Sequence, residues 1–131
     1  MEIILNQAIN LYAQGHLNEA EALFRRIYND DMTNGQALYF LGLIALSKGV
    51  SDEAVDLLYK AVCLYPKNED YQYSYAVALQ EKGYLDQAID TYKKIAHMAQ
   101  VQNNLGNIYL AKGELDKASE HFEKAIELDK E

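Results

Sequence analysis

The sequence is poor in the residues that staple, kink or strongly charge a chain. It has one cysteine, one proline, no tryptophan and only three phenylalanines. A single thiol, Cys63, excludes an internal disulfide and a multi-cysteine metal site, and its neighbours Val62 and Leu64 suit a small buried hydrophobe. Basic residues are also scarce: 12 Lys and Arg stand against 20 Asp and Glu, a net charge of -8 divided evenly between the halves. Nucleic-acid backbones are therefore repelled on average, and no basic patch or acidic tail stands out. Although half the residues are hydrophobic, no apolar run is long enough to cross a bilayer, so membrane insertion is not expected. Met1 leads into Glu2 without the basic start and apolar stretch of a secretory signal, so the expected location is intracellular, in the cytoplasm.

What the chain does have is rhythm. Gly15, Gly49, Gly83 and Gly113 recur at intervals of 34, 34 and 30 residues, and five residues after each comes Ala20, Ala54, Ala88 or Ala118. The phrases "GHLNEA", "GVSDEA", "GYLDQA" and "GELDKA" read as helix, stop, helix. Glycine takes the left-handed conformation that ends a helix. Asn18, Ser51 or Asp52, Asp86 and Asp116 follow as expected caps of the next helix. Lys48, Lys82 and Lys112 precede three of the glycines, where a cation suits the carboxyl end of a helix dipole.

Seven residues before each glycine stands Ala8, Gly42, Ala76 or Gly106, small enough for a neighbouring helix to approach. After each alanine, Phe24 and Ile27, Leu58 and Ala61, Tyr92 and Ile95, and Phe122 and Ala125 fall on one helical face. Such a unit is two antiparallel helices with one buried seam. Stacked units form the continuous core that none could form alone.

In these features the chain resembles the tetratricopeptide repeat family. The fullest copy is "ALYFLGLIALSKGVSDEAVDLLYKAVCLYP", with Leu38, Leu41, Gly42, Ala54, Leu58, Ala61 and Pro66 at family-typical spacings. Gln7, Gln72 and Gln102 depart from the pattern, standing where a larger apolar residue is usual. The resemblance implies an all-α fold: an α-solenoid of four helix-turn-helix units, about eight antiparallel helices in a right-handed superhelix. It is expected to be one domain, residues 1–131, with units at about 1–34, 35–68, 69–98 and 99–131.

The resemblance further implies that the first helix of each unit lines a concave groove and the second forms the convex back. The groove residues expected are Leu5, Ile9 and Tyr12; Tyr39, Leu43 and Leu46; Tyr73, Val77 and Gln80; and Asn103, Asn107 and Leu110. Asp70 flanks them, with Glu2, Gln36 and Gln100 at equivalent places. No Lys or Arg falls on these helices except at their carboxyl ends, so the groove is neutral to acidic. Tyr12, Tyr39 and Tyr73 suit recognition and equally suit packing between helices. Some family members grip the acidic tail of heat-shock chaperones with a clamp of Lys, Asn and Arg. The two possible registers here offer Leu5, Ile9, Phe40, Asp70 and Ser74, or Tyr39, Leu43, Ser74, Gln100 and Asn104, neither of which can hold a carboxylate. An acidic chaperone tail is therefore not the expected partner.

Catalysis is not expected. His16, His97 and His121 lie in separate units, and no phosphate loop, nucleophile elbow or metal-ligand cluster is present. No cofactor is expected, nor is nucleic acid. The expected function is a non-catalytic scaffold that binds a peptide or partner helix of another protein. Alternatives are a self-assembling homo-oligomeric structural module, of which a domain-swapped homodimer is one form, and the repeat segment of a larger enzyme or complex.

One stretch, "AHMAQVQNNLG", breaks the rhythm: Tyr92 to Gly106 spans 14 residues, against 18 from Phe24 to Gly42. No glycine or proline lies between residues 84 and 105 to force a turn. Two structures are compatible with this. In one, the helix stops near Ala96 and a tight loop at His97 to Ala99 carries the chain on. In the other, one helix runs from about Asp86 to Lys112 and donates the fourth unit to another molecule. The apolar faces before and after the stretch point in opposite directions, which an ordinary turn explains, so the tight loop is the reading adopted here.

Overall fold

The computed structural model describes residues 2–130, and these form eight helices. They pair as α1 (Glu2–Ala13) with α2 (Leu17–Asp30), α3 (Gly35–Ser47) with α4 (Ser51–Leu64), α5 (Glu69–Lys82) with α6 (Leu85–Lys93), and α7 (Ala99–Ala111) with α8 (Leu115–Asp129). Each helix packs on its neighbours in sequence, which makes the molecule an α-solenoid of four hairpins.

Every hairpin turns by the same device. At Gly83 the backbone takes φ +90°, a left-handed conformation that costs glycine little. The next amide, that of Tyr84, then donates back to the Leu79 carbonyl at 2.9 Å. His16 to Leu11, Val50 to Ala45 and Glu114 to Tyr109 repeat that six-to-one closure at 2.9 Å. It corrects one expectation. The second helices begin directly after this residue, so Asn18, Ser51, Asp52, Asp86 and Asp116 fall inside the first turn, and His16, Val50, Tyr84 and Glu114 occupy the cap position without a side-chain bond. Side-chain caps occur instead between hairpins, where Asn34 accepts from the Ala37 amide and Asn68 from the Tyr71 amide, each at 3.0 Å.

Three of these displaced residues, Asn18, Asp52 and Asp86, have another partner. Lys48 Nζ reaches back to Asn18 Oδ1 at 2.8 Å and Glu21 Oε1 at 2.7 Å. Lys82 pairs in the same way with Asp52, and Lys112 Nζ with Asp86 Oδ1 at 2.7 Å. The cation at the end of each later first helix thus fastens its hairpin to the one before. On the same side of the first joint, Arg25 bridges Glu21 and Glu53 at 2.8 and 2.5 Å.

The core runs along the seam between first and second helices. Ala8, Ala20, Phe24, Ile27, Leu38, Leu41 and Ile44 fill its front, and Leu79, Ala88, Tyr92, Val101, Leu105 and Ile108 its back. Ala45, Ala54, Leu58 and Ala78 lie between the two. The small residues are small for a steric reason. A Cβ added at residue 42 would lie 2.5 Å from Leu58 Cγ, and one at residue 106 would lie 2.5 Å from the Phe122 ring. Gly35 was not singled out from sequence, yet a Cβ there would meet the Tyr65 ring at 2.6 Å. Cys63 corrects a second expectation: it is exposed, because it lies on the outer side of α4, away from Ala61 and Val62.

The chain turns within the short stretch. Helix α6 has 9 residues against 14 in α4, and a five-residue turn, 94–98, leads into α7. The missing residues therefore come from the last turn of the helix, which stops at Lys93, earlier than the Ala96 expected. Ile95, although in the turn, is 2% exposed and still fills its place in the core. The Gln102 side chain donates to the Ala96 carbonyl at 2.7 Å, as Gln72 donates to the Pro66 carbonyl at 3.0 Å. These two glutamines, anomalous in sequence, hold the turns ahead of their own helices. The single helix from Asp86 to Lys112 is therefore not formed: α6 ends at Lys93 and α7 begins at Ala99.

Candidate protein-binding face

The expected groove residues lie on the four first helices, α1, α3, α5 and α7. Leu5, Ile9 and Tyr12 are half-buried against the front core. Tyr39, Leu43 and Leu46 follow on α3, then Tyr73, Val77 and Gln80 on α5, all half-buried. Asp70, Asn103 and Asn107 are exposed, and Leu110 is 51% exposed.

The aromatic members both pack and present surface. Tyr12 meets the Phe40 ring edge-on at 5.1 Å, and Phe40 stacks on Phe24 at 5.0 Å. Tyr39 touches Phe40 at 5.2 Å and stacks on Tyr71 at 5.0 Å. Aromatic contacts thereby link the first three hairpins through the floor of this face. Burial pushes the Tyr39 phenol above its ordinary range and the Asp70 charge adds to the shift, so the phenol stays protonated and able to donate.

Between α5 and α7 the floor becomes polar. Asn104 Nδ2 donates to the Tyr73 hydroxyl at 2.9 Å and to the Tyr92 hydroxyl at 3.1 Å, and Tyr92 in turn donates to Gln80 Oε1 at 2.8 Å. Both amide protons are used, which leaves Asn104 Oδ1 and the Tyr73 hydroxyl proton for a visitor. Burial drives the Tyr92 phenol well above its ordinary range, and the neighbouring Tyr73 adds to this, so it too remains a donor. Above this network Tyr73, Val77, Gln80, Glu81 and Asn104 line a cleft of about 390 Å³. Asn104 was visible in sequence only as a member of a rejected clamp. Its importance rests on partners 12 and 31 residues away, which no local pattern encodes.

Lys48, Lys82 and Lys112 are turned toward the preceding hairpins, and Asp70 and Glu81 remain exposed. The histidines are dispersed: His97 Nε2 lies 3.1 Å from Glu69 Oε1 at the short turn, and His121 Nδ1 lies 2.7 Å from Gln102 Oε1 with its ring stacked on Tyr109.

Tetratricopeptide repeat models match residues 5–69 and 99–131. The chain belongs to the tetratricopeptide repeat family. The stretch between the two matches contains the hairpin with the shortened helix. Among solved structures, a crystal structure of MamA is 26% identical with a TM-score of 0.92, the match covering 98% of this chain and 78% of that one. MamA MSR-1 is 29% identical with a TM-score of 0.87, covering 98% and 76%. MamA 41-end from Desulfovibrio magneticus RS-1, at 22% identity and a TM-score of 0.92 over 98% and 75%, adds a likeness of fold alone. A human protein, Protein O-mannosyl-transferase TMTC1, is 27% identical over 135 residues. That match takes in 97% of this chain, which spans 15% of the length of the human protein. The family assignment makes this chain a helical-repeat protein-interaction module. No helix among the described residues is long and apolar enough to cross a membrane.

Proposed function

We propose that the module is a non-catalytic scaffold that binds a segment of another protein, an extended peptide or a helix, along the face of α1, α3, α5 and α7. The observation that carries this reading is the cleft over the Asn104, Tyr73, Tyr92 and Gln80 network, placed at the end of a half-buried apolar row. Leu43 and Val77 supply apolar contact. Asn104 Oδ1 can accept a peptide N–H while the Tyr73 hydroxyl donates to a carbonyl, a pairing that suits backbone recognition. Asp70 and Glu81 favour neutral or basic segments over acidic ones.

A random peptide library displayed on phage and selected on the immobilised protein tests this. Enriched peptides are expected to be apolar with basic residues, and to lose binding at least tenfold when Leu43→Asp and Val77→Asp are combined. Tyr59→Ala, on the outer side of α4, is expected to leave binding unchanged. Enrichment of acidic peptides, or binding indifferent to the groove pair, would refute the assignment. Tyr39 and Tyr73 are poorer probes, since each also packs against aromatic neighbours.

A further inference from the structure

Where the turn between α2 and α3 meets the turn between α4 and α5, Asp31, Thr33, Asn34, Gly35, Tyr65 and Tyr71 line a pocket of about 340 Å³. Its space exists because Gly35 has no side chain: a Cβ there would lie 2.6 Å from the Tyr65 ring and 3.0 Å from the Tyr71 hydroxyl. The two tyrosine rings stand at 79° to each other with their centroids 6.2 Å apart, so one offers a face where the other offers an edge. The next joint has neither feature. Glu69 begins α5 as Gly35 begins α3, and Val101 holds the third place in α7 that Tyr71 holds in α5. The repeat itself therefore does not require this pocket.

Its polar groups are unevenly used. The Tyr65 hydroxyl donates to the Thr33 carbonyl at 2.6 Å, and Asp31 Oδ1 accepts from the Thr33 hydroxyl at 2.6 Å and the Thr33 amide at 3.0 Å. Those two bonds, the hydroxyl first, hold the Asp31 carboxyl below its ordinary range, so it keeps its charge. Asp31 Oδ2 and the Tyr71 hydroxyl have no hydrogen-bond partner among the described residues. Tyr71 is 7% exposed, and no fully enclosed side-chain oxygen or nitrogen among the described residues lacks a partner, so its free hydroxyl is the part that opens to the pocket. Lys67, the one cation on either turn, is not among the walls.

We infer that this pocket receives the guanidinium of an arginine side chain of the bound protein segment. The planar group can lie against the Tyr65 ring while its N–H groups, all donors, reach Asp31 Oδ2 and the Tyr71 oxygen. A lysine ammonium brings the same charge to those oxygens but no flat face for the ring. A phosphate or carboxylate would have the amide end of α3 in its favour, yet it would meet the Asp31 charge with no basic side chain in the walls. Tyr39, on the proposed binding face, stacks on Tyr71 at 5.0 Å, so the pocket lies beside the row that contains Leu43. This role rests on the first helices being the binding face, and it narrows a general preference for basic segments to arginine at one place.

The probe is N-acetyl-arginine amide, titrated into the isotopically labelled full chain and followed by the NMR shifts of amides and tyrosine rings. Saturable shifts are expected at residues 31–36, 65 and 71. Affinity is expected to fall severalfold for N-acetyl-lysine amide and further for the uncharged N-acetyl-citrulline amide. Tyr71→Phe, which removes only the hydroxyl, and Asp31→Asn, which removes only the charge, are each expected to weaken the arginine probe at least threefold with the helical circular dichroism unchanged. The groove pair Leu43→Asp and Val77→Asp is expected to keep it. No saturable shift, equal binding of the three amides, or undiminished binding by Tyr71→Phe or Asp31→Asn would overturn the proposal. So would saturable shifts of the same amides by inorganic phosphate in place of arginine, which would assign the pocket to an anion. Phage-selected peptides that depend on Leu43 and Val77 but bind Tyr71→Phe as tightly as the parent chain would overturn the arginine pocket and leave the binding face standing. Binding of the arginine probe where no peptide is selected would support the pocket and overturn the face.

Discussion

Gln102 donates its side-chain amide to the carbonyl of Ala96 at 2.7 Å, while its carbonyl oxygen lies 2.7 Å from His121 Nδ1. One buried side chain therefore ties the shortened turn to both helices of the last hairpin. Gln102→Leu keeps the volume and restores the apolar residue usual in the family, yet it strands a carbonyl and a ring nitrogen. The expected cost is about 1–3 kcal/mol, read from the urea midpoint by circular dichroism. Gln72→Leu breaks a single bond, to Pro66, and is expected to cost less.

The two helix-packing glycines separate by what surrounds them. An alanine at residue 42 must push into Leu58, which is 0% exposed and has nowhere to move, whereas one at residue 106 meets the half-buried ring of Phe122. Against a gain of about 1 kcal/mol in helix propensity, the clash at residue 42 wins, and Gly42→Ala is expected to lower stability by about 1–3 kcal/mol. Gly106→Ala is expected to cost less than Gly42→Ala. The same urea titrations, run as a pair, check the order.

Helix starts between hairpins are capped unequally. Asn68 accepts from the Tyr71 amide and Asn34 from the Ala37 amide, but Met98, in the matching place before α7, offers no side-chain bond. Asn68→Ala is expected to cost about 1 kcal/mol, whereas Met98→Ala is expected to lose packing against the back core and no cap. Amide exchange distinguishes the two: protection of the first turn of α5 falls in the former variant, and that of the α7 first turn is not specifically lost in the latter.

Burial of His121 is expected to make stability depend on pH. Burial is the largest cause holding its pKa below the usual value; Lys124 and, more weakly, Lys93 act in the same direction, and Glu120 opposes them. The unfolded chain therefore binds the proton more readily than the folded one. The contribution of this group is complete above the unfolded value of about 6.5 and is lost as pH falls from there through the folded pKa. Stability measured between pH 5 and 8 is expected to decline on the acid side in the parent chain, and less so in His121→Gln.

Much of the fold was legible because a few positions admit few residues. A left-handed turn at Gly83 and the close approach of Leu58 to Gly42 both leave a mark at fixed spacing. The caps fall two residues ahead of Asn18, Asp52, Asp86 and Asp116 because the six-to-one closure shortens the connection, a geometric consequence that spacing alone does not reveal. Loss of four residues was countable, but its location in the last turn of α6 depended on Gln102 reaching Ala96. In the candidate site, helical period set Leu5 to Leu110 at matching places on the first helices, while their expected role as a binding row came from the family resemblance. The network of Asn104 with Tyr73 and Tyr92 did not, since it joins three different helices.

Each later joint has two fixings, a lysine bond on the glycine side and, before α5 and α7, a glutamine bond on the side of the opposite turn. Lys112 and Asp86 are 26 residues apart and Lys48 and Asn18 are 30 apart, yet both pairs close. Chain length between fixings is thus an adjustable dimension of the array, altered in steps of one helical turn, and an insertion restoring the lost turn of α6 would lengthen the third hairpin without changing what its ends must recognise.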